Sequence, residues 1–305
     1  AFDSAFERGA HGDQLRAEDP REARRYRFAF VGILIGTILL LLWSNFVGVS
    51  PGVALAFFGI LFALSLAITR VRVEFGTPHE IVFVKPADVL VTLLGTNSLG
   101  ASNLTGMQAM YWFNRGYRCH PMPNYLEAFK MAEGRDLPFA RLVGVLILAS
   151  VVSLVVTYFA NYYVTYEAGA ASKAAGYKRW VGQEAFAQLA NWLQFGQAPG
   201  AANLWFFLGG LGVVGALAGL RASFLWWPLH PAGFALGVSY AMNYFWMCVF
   251  VAWLVKLIII RYGGMSAHRR AIPFFLGLIL GDYTIGALWS LLALALGQAT
   301  YKIYI

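Results

Sequence analysis

The chain has 305 residues, of which 59% are hydrophobic and 12% charged, with a mean hydropathy of +0.60 and a net charge of +8. This composition excludes an ordinary soluble domain, and apolar stretches of bilayer-spanning length indicate an integral membrane protein. Because the basic residues flank apolar spans, we assign the positive charge to topology and to anionic lipid headgroups, and we predict no nucleic-acid partner.

The first part of the chain predicts a charged leader followed by a helical hairpin. Residues 1–27 form a juxtamembrane segment, and apolar spans follow at about 28–47 and 53–69, joined by a short turn with glycine and proline. The basic residues after the second span place this end in the cytoplasm. Since the chain begins with Ala1, we expect that residue 1 lies within a longer polypeptide or that an N-terminal piece has been removed.

Residues 86–113 consist of two apolar pieces, each too short to cross a bilayer, on either side of a polar stretch. They are either a pair of interfacial helices or a re-entrant hairpin whose polar tip lines a cavity. In the second interpretation the neutral side chains of the tip are candidates to bind a zwitterionic solute, and in the first they cap a turn. These candidates are Asn97, Ser98, Ser102, Asn103 and Thr105.

Five more spans are predicted in the rest of the chain. They lie at about 139–162, 204–220, 224–240, 244–260 and 272–296. We prefer a full crossing at 224–240 because it keeps the basic loop at 261–270 on the cytoplasmic side. The predicted fold is therefore an all-α polytopic membrane helix bundle with about seven transmembrane spans.

An interfacial helix is predicted at about 184–195. Phe186, Leu189, Trp192 and Phe195 recur there at helical spacing, which is typical of an amphipathic helix that lies on a membrane surface.

Asp282 is the most informative residue, because it lies near the middle of the last apolar span. A carboxylate at that depth is costly and normally faces a polar partner, a water-filled cavity or a cation. Asp282 is either a coupling site for a proton or cation, or one half of a salt bridge. Arg221, His230 and Lys256 are its candidate partners.

Three more residues are candidates for ion coupling. Arg70 and Glu74 follow the second span, where they either reach a cavity or form an internal ion pair that anchors the span at the lipid surface. His230 lies between two prolines, where it either has a ligand role or donates to a carbonyl that the prolines leave free.

Enzyme signatures do not occur in the sequence. It has no Gly-x-Ser-x-Gly, no phosphate-binding loop, no His-Glu-x-x-His and no dinucleotide fingerprint. We therefore predict no enzyme activity, no catalytic residues, no metal and no cofactor.

Four segments of the chain resemble a bacterial family of unknown function. They are residues 70–78 (RVRVEFGTP), 111–118 (YWFNRGYR), 224–231 (FLWWPLHP) and 261–281, which contains RYGG and IPFFLGLILG. The resemblance is to the C-terminal half of polytopic proteins about twice this length, and it covers nearly the whole chain.

That family is distantly similar to the oligopeptide transporters. Residues 99–107 (LGASNLTGM) are similar to a Ser-Asn-Pro-x-Ser-Gly-Met motif of that superfamily, with Leu104 in place of the proline. The resemblance implies a transporter fold and a candidate solute site.

Two functions are compatible with these features. The first is a secondary transporter for a peptide or small zwitterionic solute, multi-pass in the bacterial inner membrane, with proton or cation coupling at Asp282. The second is a scaffold subunit of a larger membrane complex, which binds lipid, pigment or neighbouring subunits through aromatic and glycine faces. The partners are then membrane lipids and either the missing N-terminal half of the protein or other membrane subunits.

Overall fold

A computed structural model of the chain describes residues 20–76, 84–117, 120–133, 139–170, 176–237 and 239–297. Most of the predicted juxtamembrane segment, residues 1–19, lies outside them. The described residues form eleven α-helices and no strand. The helices are α1 (Pro20–Phe46), α2 (Pro51–Phe75), α3 (Pro86–Leu94), α4 (Thr96–Ala109), α5 (Tyr111–Asn114), α6 (Pro121–Glu133), α7 (Phe139–Ala168), α8 (Gly176–Phe195), α9 (Ala201–Ser223), α10 (Pro231–Gly237) and α11 (Tyr240–Leu296).

The all-α prediction is confirmed, and five of the helices are long and apolar enough to cross a membrane. The candidate spans are Arg27–Phe46, Pro51–Phe75, Ala140–Glu167, Asn203–Ser223 and Met242–Leu296. The chain divides into two compact units, residues 1–240 and 241–305, so the last candidate span belongs to the second unit.

The fifth candidate span contains two of the predicted spans. A straight helix over Met242–Leu296 would be about 80 Å long, against roughly 30 Å for the hydrocarbon core of a bilayer. The helix is interrupted at Gly264, whose φ of 66° is outside the helical region. The break lies in the basic segment between the predicted spans at 244–260 and 272–296.

The predicted crossing at 224–240 is not one continuous helix. Residues 224–230 are irregular, and only the seven residues of α10 are helical. Pro228 and Pro231 account for the interruption, because each lacks a backbone donor and restricts the residue before it to extended conformations. Among the described residues, the count of seven spans is therefore not reached.

The core of the first unit forms around the two short helices of the predicted hairpin. Leu90 and Val91 of α3, together with Leu104 and Met107 of α4, pack into one cluster with Phe57 of α2. A third of the candidate span in α2 is buried. One face of the hairpin is thus packed against protein, and irregular backbone at membrane depth is tolerated where it is buried in protein or lines a cavity.

Only two of the four residues on the predicted apolar face of α8 pack against the rest of the protein. Leu189 and Trp192 are buried in the same cluster, whereas Phe186 and Phe195 are exposed. Of the face predicted to contact lipid, two residues therefore pack into the protein core and the other two remain exposed.

Gly95 separates α3 from α4 and brings the hairpin against the connection between α8 and α9. The Thr96 N–H donates to the Gln197 carbonyl at 2.9 Å, and the Gly200 N–H donates to the Thr92 carbonyl at 3.4 Å. A Cβ at Gly95 would lie 2.8 Å from the Gln197 carbonyl oxygen and 2.8 Å from Cδ of Pro199. Glycine is needed here for this close approach as well as for its φ of 76°.

The turn between α1 and α2 is fastened to α4 by two side chains. The Ser102 hydroxyl donates to the Gly48 carbonyl at 2.7 Å, and the Ser50 N–H donates to Asn103 Oδ1 at 2.6 Å. Gly106 lies against Val49, which leaves no space for a Cβ. These contacts fix the position of the first two spans relative to the hairpin.

The four Gly-x-x-x-Gly pairs that lie inside apolar stretches do not mediate close helix contacts among the described residues of their own unit. A Cβ added at any of these glycines would have no neighbour within 4 Å. The pairs are Gly32 and Gly36, Gly215 and Gly219, Gly233 and Gly237, and Gly277 and Gly281.

We expect Gly95→Ala to destabilise the chain more than Gly100→Ala. Both glycines have φ near 75° and ψ near 160°, a region that costs other residues about 1–3 kcal/mol. Only Gly95 also has a close neighbour, which adds roughly 1–3 kcal/mol of overpacking. Denaturant unfolding in detergent, followed by tryptophan fluorescence, measures the difference. Equal destabilisation of the two variants would contradict the close approach at Gly95.

Candidate functional site

A charged cluster joins the start of α3 to α8. Asp88 lies in the first turn of α3, where the helix dipole favours an acid, and its Oδ2 is 3.2 Å from Lys85 Nζ. Gln188 of α8 completes the triangle, since its Nε2 donates to Asp88 Oδ1 at 2.7 Å and its Oε1 accepts from Lys85 at 3.1 Å. Each polar group in the triangle has a partner of complementary character.

A second ion pair lies between the end of the hairpin and α8. Arg115 Nε is 3.1 Å from Glu184 Oε2, and the Arg115 guanidinium lies 4.3 Å from the ring centroid of Trp180. Lys85 Nζ lies 4.7 Å from the ring centroid of Tyr111, so Tyr111 adjoins both ion pairs. We call the two pairs, with Tyr111 and Gln188, the hairpin network.

The electrostatics of the network favour the ionised form of Glu184. Partial burial opposes ionisation, but the neighbouring Tyr111 hydroxyl, Arg115 and Lys85 outweigh it, so the pKa of Glu184 lies below its ordinary value. Both acids of the network therefore face a cation, and the network is balanced in charge.

Two side chains near the network have buried polar atoms with no hydrogen-bond partner in the described part of the chain. They are Gln108, through both amide atoms, and Asn114, through Oδ1. Gln108 is only 2% exposed, and burial of an unpaired amide costs roughly 1–3 kcal/mol. Such atoms mark a position where water or a polar ligand would supply the missing partners.

The predicted solute-binding residues divide into two groups. Ser102 and Asn103 hold the α1–α2 turn, and Thr105 donates to the Ala101 carbonyl at 2.8 Å. Asn97 and Ser98 are exposed and make no side-chain hydrogen bond with a described residue. Of the five, Asn97 and Ser98 are thus free to meet a ligand, and their proposed role stays a prediction.

Three of the four ion-coupling candidates lie together at the end of α2. Glu74 Oε1 is 3.0 Å from Arg70 Nε, and its Oε2 is 3.8 Å from His230 Nε2. His230 Nδ1 accepts from the Ala232 N–H at 3.1 Å, so the neutral ring carries its proton on Nε2, toward Glu74. The expected donation from His230 to a freed carbonyl is not what the ring does, because its Nδ1 caps the start of α10 instead.

Asp282 belongs to the second unit. Its side chain is exposed on α11 and makes no ion pair with a described residue of that unit. Its proposed coupling role is not tested by this arrangement and stays a prediction.

Sequence reasoning missed the residues of α8 that complete the network. Lys85 and Asp88 are recognisable as a helix start, but their partner Gln188 is 100 or more residues away in the chain. Gln108 carries no clear local signal, since its helix also contains Asn97 and Asn103 and the sequence does not show which of these amides is buried.

Comparison with known proteins assigns the chain to a family. Residues 2–305 match DUF6785, a family of unknown function. The chain belongs to this family. The expected membership of a family of unknown function is confirmed, while the bacterial origin and the likeness of DUF6785 to oligopeptide transporters stay predictions. No curated protein and no solved structure matches the chain.

We expect Glu184→Gln to destabilise this DUF6785 protein at neutral pH and much less in acid. The folded-state pKa of Glu184 lies below the unfolded value of about 4.5, so its stabilisation is present above that pH and is lost as the pH falls through the folded pKa. Thermal unfolding of wild type and variant between about pH 3.5 and pH 7, a range that brackets the ordinary carboxyl pKa, measures the effect.

The matched control for this experiment is Glu167→Gln. Glu167 is exposed at the end of α7 and forms no ion pair with a described residue. Its replacement should change Tm little at any pH. A change in Tm for Glu184→Gln that is the same at every pH would contradict the assigned ion pair.

Proposed function

We propose that the chain is the solute-conducting part of a membrane transporter, with the hairpin α3–α5 as the solute path. The observation that supports this best is a pair of short helices, broken at Gly95 and Gly100, that packs one face into the protein core and contains an unpaired amide at Gln108. Broken helices within a helical bundle are where transporters form their binding sites.

The charges of the hairpin network favour a solute with both a positive and a negative group, such as an amino acid or a short peptide. Lys85 and Arg115 can bind a carboxylate, and Asp88 and Glu184 can bind an ammonium group. A zwitterion that binds to both ion pairs adds no net charge to the site, whereas a simple ion adds an unpaired charge.

Two sites are candidates for ion coupling in this proposal. Asp282 is a carboxylate within an apolar helix, and Glu74 lies beside His230, with 3.8 Å between Glu74 Oε2 and His230 Nε2. We further propose a bacterial inner-membrane location, no enzymatic activity and no cofactor.

Uptake measurements test coupling at Asp282. The full chain is reconstituted in liposomes with an imposed pH gradient, and uptake of labelled amino acids and dipeptides is measured. We expect Asp282→Asn to abolish the stimulation by the gradient while it leaves solute exchange at equal pH intact. Gradient-driven uptake that is unchanged in Asp282→Asn would reject Asp282 as the coupling residue.

Cysteine labelling tests the solute path directly. In a background with both native cysteines replaced, we expect Ser98→Cys to react with a membrane-impermeant maleimide and transported solute to slow this reaction. Leu148→Cys is the control, since this exposed residue on the apolar α7 faces lipid and should not react. No reaction at residue 98 from either side of the membrane would contradict a water-accessible hairpin.

A scaffold subunit is the second candidate function. It is favoured by the apolar surfaces of the candidate spans, which the rest of the chain leaves uncovered. The candidate spans of α7, α9 and α11 bury none of their most apolar window in the chain, and that of α1 buries 6%. Such surfaces are covered by lipid or by other subunits. A scaffold would purify as a stoichiometric complex that shows no uptake of any tested solute, whereas a transporter keeps uptake after purification as a single kind of chain.

A further inference from the structure

Helix α11 carries a cluster of cations that has no acid near it in the chain. No Asp or Glu occurs between Glu184 and Asp282, and Asp282 is the single acid of the sequence from residue 241 to 305. Arg261, Arg269 and Arg270 are exposed, and none of them pairs with a described acidic side chain. The positive charge of this segment is thus uncompensated within its own unit.

A concavity lies on this segment directly after the break at Gly264. Met265, Ser266, Arg269 and Arg270 line a volume of about 410 Å³. Ser266 is three and four residues before the two arginines, so its hydroxyl and both guanidinium groups lie on one helix face. Two planar fork donors beside a hydroxyl match the oxygens of a phosphate.

The position of the segment between two apolar stretches indicates where such a phosphate would come from. On one side lies the apolar stretch 242–260 and on the other 271–296, and each is close to the roughly 20 residues that cross a bilayer. The basic residues between them therefore lie at the level of the lipid headgroups. Phospholipid phosphate is the abundant anion at that level.

We propose that Arg269, Arg270 and Ser266 bind the phosphate of an anionic phospholipid headgroup at the Gly264 break. A headgroup with net negative charge is favoured over a zwitterionic one because the segment offers no acid to meet a headgroup ammonium. The bound lipid neutralises the break and holds the two parts of α11 at one membrane face.

Native mass spectrometry of the full chain tests the proposal. The protein is incubated with equal amounts of phosphatidylglycerol and phosphatidylcholine, and retained lipid is counted. We expect retention of phosphatidylglycerol, and a loss of about fivefold in its affinity for each arginine replaced in Arg269→Gln and Arg270→Gln. Arg269→Lys with Arg270→Lys should lose less, because charge is kept while the fork is lost.

The matched control removes the same charge elsewhere, as Arg141→Gln with Arg221→Gln, two exposed arginines near the ends of other spans. An equal loss in this control, equal retention of phosphatidylcholine, or full displacement of lipid by millimolar inorganic phosphate would overturn the proposal.

A measurement on the unmodified sequence covers the case in which the variants fail to fold. Wild-type protein in phosphatidylglycerol nanodiscs is treated with phenylglyoxal, and modified arginines are mapped by mass spectrometry. We expect Arg269 and Arg270 to be protected severalfold relative to phosphatidylcholine nanodiscs, with Arg141 unchanged. Equal modification in both lipids refutes the headgroup site.

Discussion

The pairing of the hairpin break with the connection between α8 and α9 is the constraint on which the first unit depends. An interrupted helix leaves backbone donors and acceptors that lipid cannot satisfy. Here the Thr96 N–H and Gln197 carbonyl bond to each other, and the Gln197 N–H donates to the Thr96 hydroxyl at 2.7 Å. The Gly200 N–H bonds back to α3. The break is thereby closed by protein on both sides.

The same pairing places α8 where it can build the polar network. With residues 196–200 held against the break, the preceding helix lies along α4 and buries Leu189 and Trp192. As a result, Glu184 pairs with Arg115 at one end of the hairpin, and Gln188 bonds to Lys85 at the other end. Backbone hydrogen bonds beside Gly95 thus help to determine where the polar side chains of α8 lie.

The sequence reveals the elements better than it reveals their contacts. Hydropathy locates the apolar helices because a span needs about 20 apolar residues, and glycine with polar residues after α3 marks the interruption. The segment predicted to cross at 224–240 is not one continuous helix, because Pro228 and Pro231 interrupt it and a hydropathy count does not register prolines.

The candidate site is less accessible to prediction for a physical reason. The bond between Lys85 and Gln188 joins residues that are 103 positions apart, and no local pattern encodes such a pair. Likewise Ser102 and Asn103 look like ligand-binding residues of a polar tip, yet their hydrogen bonds are used inside the protein. Composition identifies which groups can bind, and only tertiary contacts decide which of them remain free.

The fastening of the α1–α2 turn has a mechanical consequence. Hydrogen bonds from Ser102 and to Asn103, with the tight contact of Gly106 on Val49, resist both sliding and tilting at this corner. The first two spans and α4 would therefore travel as one rigid body during any rearrangement of the first unit. Motion within the first unit would then occur in helices without such contacts, and not at a hinge in residues 47–50.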